Sequence, residues 1–329
     1  MSGSDTLSSS EHKKRLKKII KDKLDPIQPV TTPRLFMLGG QPGAGKSGVR
    51  QAITTSPQGA GSLVIDPDEL RTYHPNYLKF VRENPDTAAG RVHPDAAAWA
   101  AELRAAAIAK KVNIIFDGTL GGSPKASVGM VDEASDAGYQ VEVHVVAVSL
   151  DVSQQSVRKR YEEAFVAFKN DPANNPPPRN VPEGIQKGSY NNIPGVIEAL
   201  AATGKVSRIR VADRSGKKLS DISGKHAVTE DGGKSGRTAL TQERNRPWTV
   251  KEIEAFAKNG KDTEKLLQDR INDSKDEGEQ ARLRKELVAL QAKNQDAVDD
   301  KEDMLTSARP ERDAWIRKYA GFKFPKKKK

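Results

Sequence analysis

The chain of 329 residues has no cysteine, so disulfides, thiol catalysis and cysteine-bound zinc are excluded. Its five histidines, His12, His74, His93, His144 and His226, show none of the short helical spacings of a metal site. Aromatic residues make up only 5% of the chain and hydrophobic residues 36%, so part of the sequence lies outside any packed core. No apolar run reaches the ~18 residues that a membrane-spanning helix needs. The N-terminus has basic residues without a long apolar stretch, so no secretion leader is read and a cytoplasmic protein is expected. Acidic charge is in deficit, leaving a net charge of +11. Two runs, from His12 to Lys18 and from Lys326 to Lys329, carry part of that excess and read as solvated tails rather than a nucleic-acid surface. An anionic substrate would also favour a basic cleft.

The most informative stretch is Gly40-Gln41-Pro42-Gly43-Ala44-Gly45-Lys46-Ser47, which fits G-x-x-x-x-G-K-[ST], the phosphate-cradling P-loop. Gly43 and Gly45 let backbone N–H groups turn inward where a side chain would block phosphates. Lys46 supplies a compact positive charge for the β- and γ-phosphates, and the Ser47 hydroxyl is the expected Mg²⁺ ligand. The apolar run Leu35–Leu38 suits a buried strand before the loop, and Ser47–Ile53 suits a helix after it, with its N-terminal dipole facing the phosphates. The expected cofactors are therefore a nucleoside triphosphate, ATP or GTP, with Mg²⁺.

Further along, strands are expected at 62–66, 112–116, 141–148 and 208–212, and helices at 95–110, 127–137, 153–169 and 193–203. That alternation indicates an α/β fold: a three-layer parallel sheet of P-loop kinase type. Residues 1–10 are Ser-rich and read as disordered, with a basic helix following as far as Asp25-Pro26. Residues 171–182, rich in Asn and Pro, read as loop, and 224–236, with repeated glycine, as a flexible loop. From Thr249 the chain reads as highly charged helix, with a turn over 272–278 between two narrow apolar stripes. The organisation expected is a basic N-terminal helix or tail over 1–25 and a kinase core over 26–248. A helical part follows over 249–292, and a charged helical extension with a basic tail over 293–329.

Three groups of residues could carry chemistry beside the P-loop. Asp66-Pro67-Asp68 lies just past the second strand, at the carboxyl edge where ligands bind, and either aspartate could accept a proton from an attacking hydroxyl. The competing reading is a helix cap before Glu69-Leu70-Arg71. Asp117 ends the third strand in Phe116-Asp117-Gly118-Thr119, where a carboxylate could hold Mg²⁺ or its waters, or bind a substrate hydroxyl. Arg158, Arg160 and Arg179 flank the Pro/Asn-rich loop and are suited to clamp a moving phosphoryl group; an exposed face with pairs such as Arg158–Glu162 is the alternative.

These segments in this order resemble the zeta toxin family of bacterial toxin–antitoxin systems. The resemblance rests on the P-loop with its preceding Gly39, on Val64-Ile-Asp-Pro-Asp68, Tyr73-His-Pro-Asn-Tyr77, Asp117-Gly-Thr119 and Lys159-Arg-Tyr-Glu162. Arg208-Ile-Arg-Val211 with Arg214-Ser-Gly216, and Glu243-Arg-Asn-Arg246, extend it over roughly residues 30–292. It implies a kinase that phosphorylates the 3′-hydroxyl of UDP-N-acetylglucosamine or a related UDP-amino sugar and so poisons cell-wall precursor synthesis. It further implies Asp68 as the catalytic base, Lys46 and Ser47 on the donor, and Arg160 and Arg179 as the phosphate clamp. Asp117, Thr119 and, after one gap, Glu102 fall on the substrate side. A small helical antitoxin is the implied partner. The chain departs from the family pattern in having Ser47 for the commoner Thr, Asp117 for the commoner Glu, a longer loop before Arg179, and residues 293–329. A kinase of the same fold with another acceptor, such as NAD or an antibiotic hydroxyl, is one rival. A nucleotide-dependent binding module is the other, and the D-x-D and clamp arginines argue against it.

Overall fold

The computed structural model describes residues 5–224 and 228–307. The basic run Lys326–Lys329, His226 and residues 1–4 lie outside the described residues. The chain divides into two compact units, Met1–Arg244 and Asn245–Lys329.

The first unit is built on one sheet of β1 (Arg34–Gly39), β2 (Leu63–Ile65), β3 (Ile114–Phe116), β4 (Gln140–Ala147), β5 (Val206–Asp213) and β6 (Lys218–Ser223). Their order is β2-β3-β1-β4-β5-β6. The first five are parallel and β6 returns antiparallel to β5. Both faces of β1 are covered, as its side-chain alternation requires. Leu35 and Met37 join the main core with Trp99 and Leu103, while Phe36 and Leu38 pack with Ile53 and Ile115 on the other face. The chain leaves β1 toward β2 on one side and β4 lies on the other, so the strand order reverses at the carboxyl end of β1, the usual ligand crevice of such sheets.

Helices α1 (Ser9–Ile19), α2 (Lys46–Thr54), α3 (Pro67–Leu70), α4 (Tyr77–Glu83), α5 (Pro85–Lys110), α6 (Pro124–Asp136), α7 (Leu150–Asn170), α8 (Glu183–Ala202) and α9 (Glu230–Asn245) complete the unit. Several differ from the sequence expectation. Residues 5–10 are not all irregular: α1 starts at Ser9, capped by the Ser8 side chain, which accepts from Glu11 N–H. Helix α5 begins ten residues before Asp95, at Pro85, and runs through Pro94. Proline removes one helical hydrogen bond. Burial of Ala88 and Val92 against Tyr77, Phe80 and Val81 offsets that loss. Helix α8 likewise runs through Pro194.

The stretch read as a glycine-rich loop is helix α9 from Glu230 onward. Its glycines serve close packing. A Cβ on Gly233 would meet the Ala201 Cβ at 2.8 Å, and one on Gly236 would meet Ile197 Cγ2 at 3.1 Å, both on α8. Strand β6 was also not expected, because it is a half-buried edge strand whose residues alternate weakly.

The second unit contains α10 (Val250–Asp273) and α11 (Glu277–Ser307). A capping box starts α10: Thr249 accepts from Glu252 N–H, and the Glu252 carboxylate accepts from Thr249 N–H. Leu267, Ile271 and Leu283 form its buried stripe, flanked by Leu287 and Leu290. The break between the helices is short, at residues 274–276.

Candidate active site

The turn between β1 and α2 has the backbone that its glycines allow. Gly40, Gly43 and Gly45 have φ of 142°, 82° and 100°. A Cβ at Gly43 would lie 2.1 Å from the Ser153 carbonyl oxygen. Gly45 is the residue before α2, so the first free N–H groups of that helix face the loop interior. The Gly40 N–H donates to the Thr119 carbonyl at 3.0 Å, which joins the loop to the end of β3. Lys46 Nζ donates to the Gly40 carbonyl at 3.1 Å. Burial lowers its pKa, opposed by the charges of Asp117, Asp68 and Asp66. The Ser47 hydroxyl is exposed and makes no hydrogen bond within the described residues, so it is free to take a metal-bound position. A glycine-walled cradle, a lysine and a free hydroxyl fit a triphosphate with its Mg²⁺. Among the described residues, no group of three or more His, Asp or Glu side chains could by itself hold a metal ion.

At the end of β2 the two aspartates separate. Asp66 caps α3, its carboxylate accepting from Asp68 N–H at 2.8 Å. Asp68 points between two guanidinium groups, 2.6 Å from Arg179 and 2.6 Å from Arg71. Burial would raise its pKa, but Arg179, Arg71, Arg160 and Lys46 outweigh it and hold the carboxyl below its ordinary value. Asp66 is pushed the other way, up to about 6, by burial and by the charges of Asp68 and Asp117. Asp117, one strand over, accepts from Arg50 at 3.2 Å, and burial raises its pKa against the pull of Lys46 and Arg50. Thr119 sits beside it, with its hydroxyl accepting from Gly121 N–H at 3.1 Å.

Helix α7 and the loop after it bring the arginines. Arg160 is exposed and has no ion pair within 4.0 Å among the described residues. Its pKa is lowered by burial of its guanidinium and by the positive charge of Arg179, and raised by Asp68 and Asp66. Two guanidinium groups that repel one another beside a P-loop lysine form a place for an anion. Pro177 and Pro178 are buried, and Asn180 donates to Asp86 at 3.4 Å, which fixes the loop that carries Arg179.

Two expected residues are placed elsewhere. Arg158 turns from the cluster to pair with buried Glu162 at 2.6 Å, the i,i+4 alternative. Glu102 is not brought to the aspartates. Its carboxylate pairs with His12 Nε2 at 2.8 Å, on the α1 side of α5. A shift of one residue on a helix turns a side chain by about 100°, which is enough to move it to another face.

The structure also brings to the site residues to which the sequence gave no role. Arg71 lies one helical turn past Asp68, an i,i+3 spacing that could have flagged it. His93 lies 3.5 Å from the Arg71 guanidinium. Arg50 lies within 4.0 Å of Asp66, Glu69 and Asp117. Arg214 covers Gly45 and donates to Ser156 at 2.6 Å.

Comparison with known proteins bears on the family and the fold. The family model described as Zeta toxin matches residues 17–224. The chain is 29% identical to the toxin zeta of Enterococcus hirae over 225 residues, 68% of this chain and 74% of that protein. It is 27% identical to the toxin zeta of Streptococcus pyogenes over 247 residues, 75% of this chain and 81% of that protein. The fold is similar to a solved structure of the PezAT toxin–antitoxin system of Streptococcus pneumoniae, with a TM-score of 0.64 at 20% identity, over 81% of this chain and 99% of that one. The matched span covers most of the chain and contains the P-loop, Asp66, Asp68, Arg160 and Arg179, and the chain belongs to the zeta toxin family.

Proposed function

We propose that this protein is a phosphotransferase that moves the terminal phosphoryl group of ATP or GTP to the 3′-hydroxyl of UDP-N-acetylglucosamine or a related UDP-amino sugar. It acts as the toxin of a toxin–antitoxin pair by blocking cell-wall precursor synthesis. The observation that carries the reading is the convergence on Asp68: a half-exposed carboxylate 2.6 Å from Arg179, within the field of Arg160 and Lys46 beside the P-loop. The P-loop amides and Lys46 hold the donor, and Ser47, with Asp117 near it, would hold Mg²⁺, which neutralises phosphate charge when bound. Asp68 is ionised at neutral pH and receives the proton of the attacking hydroxyl. That oxygen bonds to the γ-phosphorus as the bond to the nucleoside diphosphate breaks. Arg160 and Arg179 neutralise charge on the group in flight. Arg179 serves both Asp68 and the phosphoryl group, so donor binding draws it away from the carboxylate and leaves Arg71 to orient the base.

The acceptor side is where this chain departs from the pattern, with Asp117 one methylene shorter than Glu and Glu102 turned to His12. That favours testing other hydroxyl acceptors alongside UDP-amino sugars. The partner in this reading is a small helical antitoxin covering the donor site; that a solved structure of similar fold comes from a toxin–antitoxin system supports an antitoxin partner. The test is mass spectrometry of a panel of nucleotide sugars, NAD and hydroxylated antibiotics incubated with protein and ATP, wild type against Lys46→Ala and Asp68→Asn. A phosphorylated UDP-amino sugar made only by wild type is expected, with Asp68→Asn slower by at least about 10²-fold. Phosphorylation of another acceptor alone would reassign the substrate, and an active Asp68→Asn enzyme would remove Asp68 as base.

A further inference from the structure

The segment Glu243-Arg-Asn-Arg246 has no part in the mechanism above, yet Arg244 is the most deeply engaged residue of α9. It is 5% exposed. One arm of its guanidinium donates to the Tyr190 carbonyl at 2.8 Å, and the other donates to the side-chain carbonyl of Gln41 at 3.0 Å. Its plane lies 3.9 Å from the centre of the Tyr190 ring. No carboxylate lies within 4.0 Å of it among the described residues, and burial pushes its pKa down to about 10.

Each contact has a cause elsewhere in the fold. In a regular helix the Tyr190 carbonyl would accept from the N–H four residues on. That residue is Pro194, which has none, so the carbonyl is left open and Arg244 fills it. Gln41 is fully buried within the phosphate loop. Its amide donates to the Val148 carbonyl at 3.0 Å and to the Ser153 hydroxyl at 3.1 Å. Gln41 is therefore held at one end by the β4–α7 corner and at the other by Arg244. Rotation of its amide would break all three bonds together.

We propose that Arg244 is a positioning residue for the donor site: acting through Gln41, it fixes the phosphate loop in its nucleotide-binding shape. The proposal rests on the reading of that loop as the donor site. Arg244 does not reach the phosphates; it sets the loop that does.

The experiment is a double-mutant cycle in the full chain. ATP·Mg²⁺ dissociation constants are measured by calorimetry for wild type, Arg244→Gln, Gln41→Ala and the double variant, with Arg244→Lys as the conservative variant and kcat at saturating ATP as a second readout. Arg244→Gln is expected to weaken ATP about tenfold or more, to leave kcat at saturation within about threefold, and to add less than about twofold in the Gln41→Ala background. Arg244→Lys, which keeps charge but cannot bridge two acceptors in one plane, should recover only part of the loss. An equal loss with and without Gln41 would overturn the proposal, because Arg244 would then act by another route. Should Arg244→Gln not fold, Gln41→Ala decides alone, since it leaves the Arg244–Tyr190 contact intact. A loss of about fivefold or more supports the proposal, and unchanged affinity overturns it. Wild-type protein that binds no ATP would overturn the donor-site reading and this proposal together; wild-type binding with an unaffected Gln41→Ala variant would overturn the proposal alone.

Discussion

Alanine at Gly43 puts the phosphate cradle to a quantitative test. The backbone there has φ of 82°, which costs an L-residue about 1–2 kcal/mol. The added Cβ would meet the Ser153 carbonyl oxygen at 2.1 Å and Val157 Cγ2 at 3.0 Å. Unstrained heavy-atom contacts sit near about 3.5 Å, so either the loop or the first turn of α7 must move by more than about 1 Å. Neither moves freely. The Ser149 side chain caps α7, and the Ser153 hydroxyl accepts from buried Gln41. Overpacking of this kind costs about 1–3 kcal/mol, which with the backbone strain gives about 2–5 kcal/mol. Urea unfolding should register that loss of stability. Calorimetry should show ATP affinity down by more than tenfold, since about 1.4 kcal/mol of loop displacement already costs that factor. Gly48→Ala is the control. It lies in α2 with nothing within 4 Å of its Cβ, and should gain about 0.5–1 kcal/mol. A Gly43→Ala protein as stable as wild type and binding ATP equally well would refute the cradle geometry.

Two further outcomes concern stability. Asp66 has a folded pKa of about 6 against an ordinary 3.8, so between those values the folded state binds the extra proton and stability falls as pH rises. Asp66→Asn keeps a capping side chain but sheds that penalty. It should be more stable than wild type by up to about 3 kcal/mol near pH 7.5 and no different near pH 3.5, read by urea unfolding at both. Thr249→Ala breaks the capping box of α10 and should cost the second unit about 1 kcal/mol, seen as faster amide exchange in the first turn of α10.

The parts of this molecule that sequence made legible are those whose signal is local. The P-loop was readable because its glycines, lysine and hydroxyl are fixed by phosphate geometry at consecutive positions. The first four strands were readable because each carries a short apolar run, and β5 because buried Ile209 and Val211 alternate with half-buried Arg208 and Arg210. Prolines and glycines misled where tertiary packing overrode their local preference. The helix expected to start at Asp95 begins at Pro85 instead, and α5 passes through Pro94 because the turns on both sides bury apolar faces. Gly233 and Gly236 read as part of a flexible loop, yet α9 needs them to approach α8 closely.

The same distinction divides the site. Asp68 could be named from its place after a strand, but its separation from Asp66 comes from a cap hydrogen bond that sequence leaves open. Arg160 and Arg158 are two residues apart on one helix and only one faces the cluster, because the other is claimed by the buried acid Glu162. Arg71 reaches Asp68 from one turn further along the chain, a local signal, whereas Arg244 reaches a P-loop glutamine 203 residues away. A charged side chain takes its role from the nearest unsatisfied group, and that group is set by the fold. The Tyr190 carbonyl left open by Pro194 is the case in point: a proline in one helix creates the acceptor that holds an arginine of another, and that arginine in turn holds the loop whose own sequence announced the site.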